Sequence, residues 1–159
     1  MLMKTPMTTF RTIIPAITAV VAFSAGASEP EVGDAADLSH YQWKNRLLLV
    51  FAPSREEPMF RTLHDSLGAR RADVADRDLV VLEVLESGPS TEDGVRLDPA
   101  TAKLLRERFR VPGEDFSVIL VGKDGGVKLD RRDQTSLEVI FALIDSMPMR
   151  QLEMRRNNP

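Results

Sequence analysis

Residues 46–58 read RLLLVFAPSREEP: an almost unbroken apolar run from Leu47 to Ala52, then a turn that carries Ser54, Arg55, Glu56 and Glu57 between two prolines. A run without polar alternation predicts a strand buried on both faces, as in the middle of a parallel sheet. Beyond the turn, Phe60, Leu63 and Leu67 recur at helical spacing with polar residues between them, so a helix is predicted from Met59 to about Ala75, weakened only by Gly68. DLVVLEVLE at 78–86 repeats the strand pattern. A strand-helix-strand unit of this length places its two strands parallel and side by side.

Working outward, SGPSTEDGVRL at 87–97 reads as a polar loop with two glycines and a proline. Asp98 and Pro99 supply an N-cap and a first-turn proline for a helix carrying Leu104, Leu105 and Phe109, which must stop before Pro112. FSVILVGKDGGVKLD at 116–130 is a strand, a turn at Asp124, Gly125 and Gly126, and a second short strand. Thr135 and Glu138 have capping-box spacing, and Leu137, Ile140, Phe141 and Ile144 line one face of a last helix that runs to Pro148. The order strand-helix-strand-helix-strand-strand-helix is that of an α/β, thioredoxin-like fold: a four-stranded mixed sheet with helices on both faces.

At the N-terminus, Lys4 and Arg11 precede the apolar run Ile13–Phe23, and AGA at 25–27 has the small-x-small form of a cleavage site. Residues 1–27 are therefore expected to be a signal peptide, 28–37 (SEPEVGDAAD) a flexible acidic leader, 38–150 the domain, and 151–159 a basic tail that frays. The product is expected to be periplasmic or secreted, with no stable membrane insertion after cleavage. Cleavage removes Lys4 and Arg11, leaving 19 basic against 24 acidic residues, a net charge of −5. That balance disfavours nucleic acid as a partner. The chain has no cysteine, which excludes disulfides, thiolate nucleophiles and thiolate metal ligands together.

The segments LSHYQWKNRLLLVFAPS, RDLVVLEV, LRERFRV, FSVILVGKDGGVKL and LIDSMPMRQLEMRR resemble the exported bacterial family called domain of unknown function 4174, over residues 38–156. That family is similar to domains of animal extracellular proteins of the sushi-repeat and coiled-coil-domain-containing 80 type. The resemblance implies a thioredoxin-like fold nearest to peroxiredoxins, and export, but carries no settled activity. A thioredoxin or peroxiredoxin would hold its reactive cysteine just after Ala52, where this chain has PSREEP, and a thioredoxin would have a proline where EDFS precedes the third strand.

In such a fold the loops 53–58, 86–97 and 111–116 meet at one edge of the sheet. Among them Glu56, Glu57, Glu86, Glu92, Asp93, Glu114 and Asp115 outnumber Arg55 and Arg96, which predicts an acidic edge and favours a cation or a basic partner surface. Ser54 reads as the N-cap of the first helix with Glu57 as capping-box partner, rather than as a nucleophile, since neither His40 nor His64 has a reason to approach it. His64 and Asp65 are adjacent in a helix and do not face each other. His40, Tyr41 and Trp43 are expected to anchor the leader to the core. Met147, Met149 and Met154 form a thioether cluster of the kind that binds Cu(I), or that fills gaps at helix ends. GKDGG lacks the helix and Lys-Ser/Thr of a phosphate cradle. The sequence points first to a non-catalytic binding module of the cell envelope with no cofactor and no assigned catalytic residue. A thiol-independent or partner-assisted oxidoreductase is the alternative, and a Met-based copper carrier the third reading.

Overall fold

Strand β1 (Arg46–Ala52) is buried along its whole length in a computed structural model that describes residues 37–157. The expected signal peptide and all of the expected leader but Asp37 lie outside the described residues. The β1 side chains alternate between two cores. Leu48, Val50 and Ala52 pack with α1 (Pro58–Ala69) and α4 (Leu137–Ser146) on one face, through Phe60, Leu63, Ile140 and Phe141. Leu47, Leu49 and Phe51 pack on the other face with Ala102 and Leu105 of α3 (Pro99–Phe109). Two apolar layers explain why β1 has no polar alternation.

β2 (Leu79–Leu85) runs parallel to β1 in the register Arg46↔Leu79 to Ala52↔Leu85. β5 (Ser117–Val121) lies antiparallel on the other side of β1, and β6 (Val127–Arg131) closes the predicted hairpin at that edge. The sheet has six strands, not the four expected, in the order β4-β3-β2-β1-β5-β6. The extra pair comes from the segment read as a loop: β3 (Thr91–Glu92) and β4 (Val95–Arg96) turn over Asp93 and Gly94, both at positive φ, and β3 pairs with β2 through Leu82↔Glu92 and Glu83↔Thr91. Strands of two residues are too short to show a hydrophobic period.

The helix expected over 59–75 is two helices, α1 and α2 (Arg71–Asp76), broken at Arg70, whose φ of −122° leaves the helical region. The last predicted helix is capped by Ser136, whose hydroxyl accepts from the Val139 amide at 3.4 Å, and not by Thr135, whose hydroxyl donates to the Asp133 carbonyl. The tail expected to fray is helix α5 (Pro148–Asn157). It has no apolar face to announce it. Arg150 and Glu153 hold it down: Arg150 donates to Asp145 at 3.2 Å and pairs with Asp76, while Glu153 accepts from Arg46 at 3.1 Å and Lys123 at 2.8 Å.

Candidate functional site

The β1–α1 turn is built around its own carboxylates. α1 starts at Pro58, whose missing N–H would have had no intrahelical acceptor, and its N-cap is Glu57, whose carboxylate accepts from the Met59 amide at 3.3 Å. Ser54 is thus not the cap that its spacing suggested. Its hydroxyl accepts from the Glu56 amide at 3.2 Å, and its carbonyl accepts from the Glu57 amide. Pro58 decides the shift, because a helix that began after Ser54 would need an N–H at that position. Glu56 is exposed, and the Ser54 hydroxyl, with the turn's own amide and nearby arginines, holds its carboxyl below the usual carboxylate value.

Arg106 of α3 fastens the edge where β1 and β2 end. Its guanidinium donates to the carbonyls of Ala52 at 2.5 Å, Val84 at 3.0 Å and Pro112 at 3.0 Å, and the side chain is almost wholly buried. Burial pushes this cation below the usual arginine value, and Glu86, with Oε2 3.4 Å from Nε, acts against that shift. Glu86 lies across Gly113, where a Cβ would come within 2.8 Å of its Cδ. The Glu86 and Ser87 amides donate to the Ala52 and Pro53 carbonyls, so the three loops do meet.

Their carboxylates do not form one acidic cluster. Glu92 sits opposite Leu82 and accepts from the Tyr41 hydroxyl, and Asp93 accepts from the Val81 amide at 2.8 Å, both well back along β2 from the edge. Glu86 is paired with Arg106, and Asp115 with Arg132 at 3.1 Å. Glu57 is spent on the cap, so Glu56 and Glu114 are the exposed acids that remain of the predicted set. Arg55 points toward Glu83, its guanidinium 4.0 Å from Oε2. The count of loop charges missed the arginines that reach in from α3 and from the segment after β6.

A second group of side chains was not expected from the sequence. Glu83, in the middle of β2, is buried, and its Oε1 lies 2.5 Å from His64 Nδ1 of α1. Its Oε2 accepts from the Thr91 hydroxyl at 3.1 Å. Asp65 is not the partner of His64. The available signal was one charged residue inside the apolar stretch LVVLEVL, but its partner is 19 residues away in α1.

The remaining candidates are dispersed. Tyr41 is buried in the α3-side core, whereas Trp43, at φ 65°, is 65% exposed; the leader that these residues were expected to anchor lies, but for Asp37, outside the described residues. His40 Nδ1 lies 3.0 Å from the Asp37 carbonyl. Met147 packs against the α4-side core; Met149 and Met154 are half-buried in α5. GKDGG is a hairpin turn, with the Gly126 amide bonded to Asp124. Among the described residues there is no group of three or more His, Cys, Asp or Glu placed to hold a metal, and no helix long and apolar enough to cross a membrane.

The family model described as Domain of unknown function (DUF4174) matches residues 37–153. The chain belongs to this family. It is 31% identical over 133 residues to Coiled-coil domain-containing protein 80 of Danio rerio, covering 74% of this chain and 15% of that protein. It is 32% identical over 126 residues to Sushi repeat-containing protein SRPX of Rattus norvegicus, covering 76% of this chain and 26% of that protein. The chain thus spans about a quarter or less of these DUF4174 relatives. Among solved structures it is similar to the reduced 2-Cys peroxiredoxin of Plasmodium vivax, with a TM-score of 0.56 at 16% identity over 72% of this chain and 84% of that one. A Plasmodium yoelii peroxiredoxin modified at its N-terminus matches at a TM-score of 0.51, with 16% identity over 76% of this chain and 80% of that one. The fold is therefore peroxiredoxin-like, which is to say thioredoxin-like, in a DUF4174 protein without cysteine.

Proposed function

We propose that this DUF4174 domain is an exported, non-catalytic binding module that presents the ends of β1 and β2 to a protein or small ligand carrying basic groups. The observation that carries this reading is the β1–α1 turn. The place where a helix N-terminus would stabilise a thiolate is taken by the Glu57 carboxylate, while Glu56 and Glu114 stand exposed on an edge held rigid by Arg106. Export is supported by the charged-apolar-small pattern of residues 1–27. No nucleic-acid partner is expected, because the domain is acidic.

A photo-crosslinking residue in place of Glu56, used in intact cells, tests the reading. The expected result is one specific adduct whose yield falls when Glu114 is also changed to Lys; absence of any specific adduct refutes it. Peroxide or disulfide turnover by the metal-free protein would favour an oxidoreductase instead. Cu(I) competition lost on combining Met147→Leu with Met149→Leu would favour a carrier.

A further inference from the structure

Arg106 also lines a groove of about 530 Å³ between α3, with the loop that follows it, and the segment running from the end of β2 through β4. Leu85, Leu97, Ala102 and Val111 give the groove apolar walls. Its charged residues are Arg96, Lys103, Arg106 and Arg110 against Glu86 and Glu107. Cations therefore dominate this concavity, although 24 acidic residues outnumber 21 basic ones in the chain as a whole. Ser90 lines it too, but its hydroxyl is already engaged with the backbone amide and carbonyl of Leu85.

Both acids already face a cation. Glu86 Oε2 lies 3.4 Å from Arg106 Nε, and Glu107 Oε1 lies 3.9 Å from Lys103 Nζ. Arg96 and Arg110, by contrast, have no side-chain hydrogen bond or ion pair among the described residues. They come from different walls: Arg96 from β4, and Arg110 from the C-cap of α3, where a φ of 54° turns the chain out of the helix. Arg106 adds a charge that is fixed in place, since three carbonyls hold its guanidinium, and its buried Nε makes no hydrogen bond. One unpaired surface arginine is ordinary. Two of them on different walls of one apolar-sided groove, with a third cation immobilised in the same lining, focus positive potential into it.

We propose that this groove binds a small organic anion, a carboxylate or phosphate monoester on an apolar body, whose head group is held by Arg96 and Arg110. The guanidinium fork matches both kinds of oxyanion, and Leu85, Leu97, Ala102 and Val111 take the body. Mixed walls of this kind, apolar with a few charged groups, are the usual form of a small-molecule site. Neither Glu56 nor Glu114 lines the groove, so this inference and the basic partner proposed for the edge stand or fall separately.

The test is a titration of the 15N-labelled chain at low salt, where charge contacts are least screened. The probes are benzoate, phenyl phosphate, benzamide and acetate. Benzamide keeps the shape of benzoate without its charge, and acetate keeps the charge without the ring. Benzoate or phenyl phosphate is expected to bind at least about 10-fold more tightly than benzamide and acetate, with amide shifts centred on Leu97, Ala102 and Val111. Whichever of the two binds better identifies the head group as carboxylate or phosphate ester. Arg96→Gln combined with Arg110→Asn, a residue that tolerates positive φ, should reduce the preference over benzamide to less than about 2-fold. Arg155→Gln combined with Arg156→Gln removes the same charge from α5, outside the groove, and should leave that preference intact. Equal binding of benzamide or acetate, shifts centred elsewhere, unchanged binding in the Arg96/Arg110 variant, or an equal loss in the α5 variant would overturn the proposal.

Discussion

Glu153→Ala removes the anion that lies between Arg46 and Lys123, cations whose side chains are 1% and 9% exposed. Arg46 retains the Arg77 carbonyl at 2.8 Å, and Lys123 retains Asp78 at 2.7 Å. Deleting one partner of a fully buried ion pair costs about 3–5 kcal/mol. Because both cations keep another acceptor and Glu153 is itself 20% exposed, the expected loss is about 2–3 kcal/mol. In a domain of ~120 residues each kcal/mol moves the thermal midpoint by about 4 °C, so the shift should be about 8–12 °C. Leu152→Ala, in the same helix but 54% exposed, should stay within about 0.5 kcal/mol. Thermal and urea unfolding, with hydrogen exchange across 148–157, reads both variants. If Glu153→Ala unfolds where Leu152→Ala does, α5 is not held by this ion pair. Acid gives the same contact a second readout. Burial by itself raises the Glu153 carboxyl, but the bonds from Lys123 and Arg46 outweigh it and hold the group below its ordinary 4.5. A group depressed in this way stabilises the fold fully above its unfolded value and loses that contribution as the pH falls through the lower folded value. Protection of α5 should therefore be full above about pH 4.5 and fall progressively below it, and Glu153→Ala should show a smaller acid loss, the remainder coming from Asp145, whose carboxyl is likewise held low by Arg77 and Arg150.

Arg106→Met should cost at least about 3 kcal/mol in urea unfolding, since the carbonyls of Ala52, Val84 and Pro112 lose their common donor; Arg106→Lys should fail to rescue it, and a full rescue would refute the clamp. A cysteine at Ser54 should react with iodoacetamide no faster than free cysteine, because Glu57 already occupies the helix terminus and Glu56 repels a thiolate; a rate about 10-fold higher would refute this. Ser136→Ala should cost about 1 kcal/mol, as expected for loss of an N-cap, and a neutral result would return the cap to Thr135.

The candidate sites were legible only where recognition was local. Asp98 and Pro99 open α3 as their spacing required, since a cap is decided within four residues, and the Asp98 carboxylate accepts from the Thr101 amide at 3.1 Å. The same reasoning misplaced the α1 cap by three residues, from Ser54 to Glu57, because two acceptors compete there and Pro58 selects between them. The acidic edge carries fewer free carboxylates than its loops suggested, for a different cause. Charges were counted along the loops, whereas Arg106 and Arg132 reach Glu86 and Asp115 from elsewhere in the chain. His64 and Glu83 could not be paired from spacing, because nothing local specifies how α1 lies over β2.

Pattern and composition alone were sufficient for the absence of cysteine, the strands β1, β2 and β5, the parallel β1–β2 crossover and the hairpin into β6, because apolar periodicity and turn chemistry act over a few residues. Only the tertiary structure decided that a two-residue ribbon extends the sheet, that a helix without an apolar face is docked by Arg150 and Glu153, and that a lone imidazole meets a buried carboxylate. Ion pairs and buried hydrogen bonds depend on distances set by packing between distant elements, and those distances leave no periodic trace in the chain.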